Sequence, residues 1–168
     1  LGEIRDKETC EIAINAALIG RLILSTIHTN DAVSTITRIL DMGIEPYLFV
    51  SSVTCILAQR LVRTLCIHCK VSYSPPKKVL ENLNLKISSE EIKFYRHKGC
   101  ERCGNTGYSG RTGIFELLII DEAIRDLILE KAKLSILREA AKKNNMPNMK
   151  QNGIQSKMAE LIKKGLEK

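Results

Sequence analysis

Two cysteine pairs, Cys66-x-x-Cys69 and Cys100-x-x-Cys103, constrain this chain more than any other feature of its sequence. Each pair forms a short knuckle that can aim two sulfurs at one point. Together the knuckles supply four thiolates, a closed tetrahedral shell for Zn²⁺. Gly99 before the second pair, and Gly104, Asn105, Thr106 and Gly107 after it, let backbone N–H groups turn back towards the sulfurs. Paired disulfides and a redox dithiol are the competing uses of this spacing. A four-sulfur shell leaves no position open to a substrate, so zinc held by Cys66, Cys69, Cys100 and Cys103 would be structural. Cys10 and Cys55 fall on predicted helices with apolar neighbours and read as small buried side chains.

The chain has 168 residues, enough for one medium domain or two small ones, and 44% of them are apolar. With no Trp and few aromatics, aliphatic side chains must fill the core. No run approaches the ~18 apolar residues of a membrane span. No charged-then-apolar leader opens the chain, so six cysteines favour a reducing compartment where thiols persist and bind metal. The net charge of +7 is uneven: residues 1–59 sum to −3 and residues 60–111 to +7, with −1 from Glu116 and +4 after residue 120. Four thiolates and one Zn²⁺ carry −2, which neighbouring Lys and Arg would stabilise. The remaining basic excess reads as a solvated face, with nucleic acid or acidic lipid as the sharper alternative.

Along the chain, Leu1 to Asp6 reads as the end of a buried strand running into a polar turn. Lys7 to Ile19 has helical apolar spacing, and Leu22-Ile23-Leu24 is a short run suited to a buried strand. The polar loop Ser25–Asn30 follows. A helix is predicted from Asp31 to Met42, capped by Asn30 and stopped by Gly43, and another from Pro46 to Gln59. Leu61–Leu65 reads as a strand entering the first knuckle. Two short helices are predicted in the insert around Pro75-Pro76. Arg111–Ile120 reads as a strand, followed by a helix capped by Asp121 and two more helices split near Asn144–Pro147. The order is an α/β pattern.

Glu3 and Asp6 lie where a strand emerges, the end at which α/β folds bind ligands. A carboxylate there can hold Mg²⁺ through water or polarise an attacking water. Otherwise Asp6 is a helix N-cap and Glu3 a surface charge. His28 also follows a strand, among hydroxyl and amide side chains, where an imidazole could donate to a phosphate or be an inert loop residue.

Gly2-Glu3-Ile4-Arg5-Asp6 and Ser25-Thr26-Ile27-His28-Thr29-Asn30 closely resemble the Walker B segment and histidine box of the secretion ATPases that drive type II secretion and type IV pilus assembly. Ala58-Gln59-Arg60-Leu61-Val62-Arg63 resembles that family's next signature. Leu65-Cys66 with Cys69-Lys70, Gly99-Cys100 with Cys103, and Gly107-Tyr108 with Gly110-Arg111-Thr112-Gly113 resemble its four-cysteine metal subdomain.

The resemblance implies the carboxy-terminal part of a RecA-like P-loop NTPase core over residues 1–65. A zinc subdomain at 66–110 and a strand with a helical end at 111–168 would follow. It implies a homo-hexamer hydrolysing ATP with Mg²⁺ at the cytoplasmic face of the inner membrane, working on a membrane platform and recruitment proteins, with no specific nucleic acid. Glu3 and His28 would be catalytic, and Arg5 and Asp6 would support the nucleotide. No Gly-x-x-x-x-Gly-Lys-Ser/Thr phosphate loop occurs in these residues, so this stretch alone is expected to be inactive. The competing reading is a non-enzymatic zinc-binding module that docks a partner or nucleic acid.

Overall fold

The computed structural model of the chain describes residues 1–74, 76, 94–144, 146, 147, 149 and 151–153. Helix α1 (Lys7–Leu18) begins where Asp6 accepts a hydrogen bond from Thr9 N at 2.8 Å, satisfying a first-turn N–H that has no partner inside the helix. Helix α2 (Ala32–Asp41) buries Ala32, Val33, Thr35, Ile36 and Ile39, the three-and-four spacing of an inward stripe. Its cap is Asp31 and not Asn30: Asp31 Oδ1 accepts from Ser34 N at 2.7 Å, while Asn30 O accepts from Arg60.

Helix α3 (Pro46–Ser52) starts on its proline as expected but ends well short of Gln59. Strand β1 (Cys55–Leu65) takes over. It follows Val53-Thr54, and its pairing with β4 (Tyr108–Ile119) overrides an apolar spacing that also suits a helix. Cys55, expected to be buried on a helix, is therefore exposed on a strand, while Cys10 is buried on α1. Along β4, Glu116 and Leu118 are buried and Phe115, Leu117 and Ile119 are exposed, the period-two alternation of a sheet with one covered face. Helix α4 (Glu122–Leu129) is capped by Asp121, which accepts from Ile124 N at 3.0 Å, and helix α5 (Leu134–Lys143) follows.

Leu22-Ile23-Leu24 does not form a buried strand: Leu22 is 88% exposed and Leu24 76%. Residues 1–6 and 21–27 meet through one parallel bridge, Glu3 to Thr26, where Ile4 N donates to Thr26 O at 2.8 Å. A sheet interior needs neighbours on both sides, and among the described residues these two segments pair only with each other. Most of the insert around Pro75-Pro76, and the chain beyond Gly153, lie outside the described residues, as do the helices expected there.

The chain divides into two units. One takes Leu1–Arg60 and the described residues from Ile114 onward, and its core is aliphatic around Phe49, Ile36, Ile124 and Ile128, as the lack of Trp requires. The other, Leu61–Gly113, carries the knuckles and an antiparallel ladder of β2 (Val71–Tyr73) with β3 (Phe94–Arg96), Val71 opposite Arg96 and Tyr73 opposite Phe94. Among the described residues no helix is long and apolar enough to cross a membrane.

Candidate functional sites

The Glu3–Thr26 bridge sets the first site, because it brings the chain's first residues alongside the loop that carries His28. Thr26 Oγ1 donates to Gly2 O at 2.9 Å and tightens the same junction. Arg5 Nε donates to Glu3 Oε2 at 2.8 Å, and Arg5 Nη2 lies 2.6 Å from the same oxygen. His28 Nε2 lies 2.9 Å from Glu3 Oε1, an ion-pair separation once the ring is protonated. Oε1 is itself covered, and the contact is not aligned as a hydrogen bond, so Oε1 accepts none. The His28 side chain is 92% exposed and that of Glu3 only 20%.

The hydrogen bond from Arg5 holds the Glu3 carboxyl below the usual glutamate range, against the opposing effect of burial, and the charges of Arg5 and His28 act in the same direction. An acid held ionised in this way is a weak proton acceptor. It suits orientation and polarisation of a water better than outright proton abstraction. The unsatisfied Oε1 is the atom of Glu3 with acceptor capacity left over for that purpose, and it would receive a water, including one carried by Mg²⁺, once the side chain covering it moves aside. Asp6 is occupied differently: its Oδ1 caps α1, and the N–H of Thr9 lowers its pKa.

The second site gathers Cys66, Cys69, Cys100 and Cys103, whose sulfurs all lie within 4.8 Å of one another. Cys69 Sγ to Cys103 Sγ is 3.9 Å and Cys100 Sγ to Cys103 Sγ is 3.7 Å. Four sulfurs at about 2.3 Å from a tetrahedral Zn²⁺ stand about 3.8 Å apart, so these edges fit that ion. They are far too long for a disulfide, about 2.05 Å. Cys66, Cys69, Cys100 and Cys103 could thus hold a metal ion as a set, and Cys10 and Cys55 stand apart from it.

Backbone geometry makes this cluster. Cys66 O accepts from Lys70 N at 3.0 Å, Cys100 O accepts from Asn105 N at 2.9 Å, and Cys66 N donates to Gly107 O at 3.0 Å, joining the two knuckles. Cys100 N and Gly107 N donate to Cys103 Sγ at 3.3 and 3.1 Å. Gly99 and Gly107 have φ of +108° and +75°. A Cβ on Gly99 would stand 2.7 Å from Asn105 O, and one on Gly107 2.6 Å from His97 Cβ, so side chains are excluded at both. Burial acts to raise the Cys103 thiol, but the N–H donors of Cys100 and Gly107 outweigh it and bring it down to about 6. Burial pushes the Cys69 thiol up to about 11. Cys103 is thus prepared as a thiolate beside Cys69, which holds its proton and would release it to a metal ion.

One organising residue carries no sequence signal beyond its place in a strand. Glu116, buried on β4, accepts from Ala32 N at 3.0 Å and Met149 N at 3.3 Å, tying the start of α2 to the chain's later part. Arg138 on α5 adds a second tie, 2.8 Å from Asp31 Oδ2.

Comparison with known proteins points to one family. A family model for type II/IV secretion system proteins matches residues 1–164. The chain is 48% identical over 153 residues to the type II secretion system protein HxcR of Pseudomonas aeruginosa, covering 91% of this chain and 29% of that protein. It is 44% identical over 155 residues to the type IV pilus assembly ATPase PilB of Thermus thermophilus, covering 92% of this chain and 17% of PilB. The crystal structure of the pilus retraction motor PilT with bound ADP superposes with a TM-score of 0.52 at 28% identity, over 84% of this chain and 31% of PilT. The chain thus spans less than a third of the length of each of these relatives, and with its mixed α/β fold and its four-cysteine cluster it belongs to the family of type II/IV secretion system proteins.

Proposed function

We propose that this chain is the carboxy-terminal portion of a RecA-like motor that hydrolyses ATP to power type II protein secretion or type IV pilus assembly. The observation that carries the reading is the Glu3 carboxylate, fixed on one oxygen by Arg5 and left with an unsatisfied second oxygen beside His28. Glu3 would orient the attacking water. His28, open to solvent, would contact the phosphate end of the nucleotide. Arg5 would hold Glu3 in place, and Asp6 would support the nucleotide side by fixing the first turn of α1. Mg²⁺, when bound, supplies charge neutralisation to the nucleotide phosphates, and Glu3 would hold it through water. The phosphate loop would be supplied by the longer protein, so this stretch alone would be inactive.

In this reading the four cysteines hold a structural Zn²⁺. The complete protein would work as a homo-hexamer at the cytoplasmic face of the inner membrane, against a membrane platform and its recruitment proteins. A zinc-binding module without catalysis has no use for a carboxylate and an imidazole facing each other at residues 3 and 28, which favours the motor.

The test is steady-state ATPase rate per hexamer in the full-length protein, with assembly checked by size. Glu3→Gln should lower turnover at least ~100-fold while nucleotide still binds, the scale of a removed acid–base group. His28→Ala should give a smaller loss, because it removes a contact and not the water-orienting charge. An intact Glu3→Gln hexamer that turns over at the parent rate would make Glu3 a surface carboxylate. Phosphate release by the 168-residue chain alone, abolished by Glu3→Gln, would equally refute the dependence on an upstream loop.

A further inference from the structure

Among the described residues, no cation of the knuckle unit forms an ion pair with a carboxylate. Its described residues include Arg63, Lys70, Arg96, Lys98, Arg102 and Arg111 against the single carboxylate Glu101. The four ion pairs found among the described residues all lie in the other unit. Two of these cations rest on rings, Arg63 3.9 Å above the centre of Tyr108 and Lys70 4.7 Å above Tyr95, and Arg102 Nη1 lies 3.3 Å from His68 Nδ1.

Arg96 and Lys98 are placed differently. With Val71, Ser72 and His97 they line a cleft of about 610 Å³ beside the β2–β3 ladder. His97 is held rigidly there: its ring stacks on Tyr108 at 5.1 Å, its Nδ1 lies 3.1 Å from Tyr108 Oη, and its Cβ fits only because Gly107 has none. In the tautomer in which Tyr108 donates to Nδ1, the ring proton sits on Nε2, which can then donate. Arg96 and Lys98 donate only, and Ser72 can donate too. Such a cleft is complementary to acceptor-only anions.

We propose that this cleft docks an acidic segment of a partner polypeptide, with Glu or Asp carboxylates received by Arg96, Lys98 and His97. The chemistry is that of charge-assisted hydrogen bonds, and the Arg96 guanidinium can take a carboxylate with two N–H groups at once. The Tyr108 ring, the aromatic nearest His97, is taken by His97 and Arg63 and is closed to a stacked base. The proposal is independent of the nucleotide chemistry assigned to Glu3.

The experiment measures fluorescence anisotropy of a short fluorescein-labelled poly-glutamate peptide titrated with the purified 168-residue chain. Phosphatidylglycerol vesicles and single-stranded DNA are run in parallel. Poly-glutamate should bind, poly-glutamine should not, and affinity should fall as salt is raised. Arg96→Glu with Lys98→Glu should weaken binding at least ~10-fold, as for paired charges lost from an interface. The milder Arg96→Gln with Lys98→Gln should also weaken it, with metal content and circular dichroism unchanged. Arg21→Glu with Lys142→Glu makes the same change in net charge elsewhere and should leave affinity within ~2-fold, since distant charges are screened. Equal loss in that control, no binding of poly-glutamate, or vesicle or DNA binding that depends on Arg96 and Lys98 more than peptide binding does would overturn the proposal.

Discussion

Removing Glu116 tests the account of the larger unit most directly, because one side chain there satisfies two backbone donors from distant parts of the chain. Ala32 is fully buried, and its N–H sits at the start of α2 with only the Glu116 carboxylate, at 3.0 Å, as acceptor. Glu116→Ala strands that donor where water has no access, at about 1–3 kcal/mol for an unsatisfied buried group. It also removes a negative charge from a helix N-terminus, about 0.3–1 kcal/mol. Met149 is only partly buried, so water can replace the 3.3 Å bond from its N–H. The sum is about 1–4 kcal/mol. Glu116→Gln keeps one acceptor for Ala32 but turns an amide NH₂ towards the Met149 N–H and loses the charge, so about 1 kcal/mol is expected. Urea unfolding followed by circular dichroism, with equal m-values required, gives both numbers. If Glu116→Ala unfolds within ~0.5 kcal/mol of the parent, the size of an ordinary surface change, the tie is not structural. If Gln costs as much as Ala, charge and not the orphaned donor sets the penalty.

The metal centre should contain one zinc per chain by elemental analysis, lost in Cys66→Ser with Cys100→Ser and kept in Cys10→Ser and Cys55→Ser; zinc persisting in the first variant would refute the ligand set. Gly99→Ala and Gly107→Ala should each cost at least ~1–2 kcal/mol through the left-handed backbone alone, with faster zinc loss to a chelator, and unchanged chelation rates would count against the close approaches to Asn105 and His97. Burial acts to raise the Asp31 carboxyl, but Ser34 and Arg138 outweigh it and hold it below its ordinary 3.8. A lowered folded-state value adds stability that is complete above the unfolded value and lost as pH falls through the folded one. The stability difference between parent and Asp31→Asn should therefore be level from about pH 5 to 7 and shrink below about pH 4; a difference that grows on acidification would reverse the assignment.

The knuckles were legible because their information is local: a four-residue spacing, turn glycines and a ligand chemistry with few alternatives. The caps at Asp6 and Asp121 were legible for the same reason. The helix expected to run on to Gln59 failed because Val53 to Ala58 carries an aliphatic pattern compatible with either period, and the deciding partner, β4, is some fifty residues away. Asn30 and Asp31 are both good caps, and the choice between them follows from Arg60 and Arg138, again remote. Leu22 to Leu24 shows the limit of reading burial from composition: an apolar run is buried only where another surface meets it. Glu3 and His28 were marked faintly by their places after predicted strands and more sharply by the resemblance of their flanking residues, and Glu116 not at all, since an acid in a strand announces nothing until its neighbours are known.

The bond from Cys66 N to Gly107 O has an architectural consequence. It joins the two ends of the knuckle unit at the four-cysteine cluster, and the ladder pairs Tyr73 with Phe94 above it, so closure of the insert between those two residues is settled at its base. Closure entropy grows only logarithmically, about 0.6 kcal/mol for each doubling of a flexible loop. The insert can therefore be lengthened, shortened or exchanged with little effect on the unit that carries it. That makes it a natural graft point, where a family could diversify its recognition surface, or an experimenter place a fluorescent or affinity tag, without touching the larger unit.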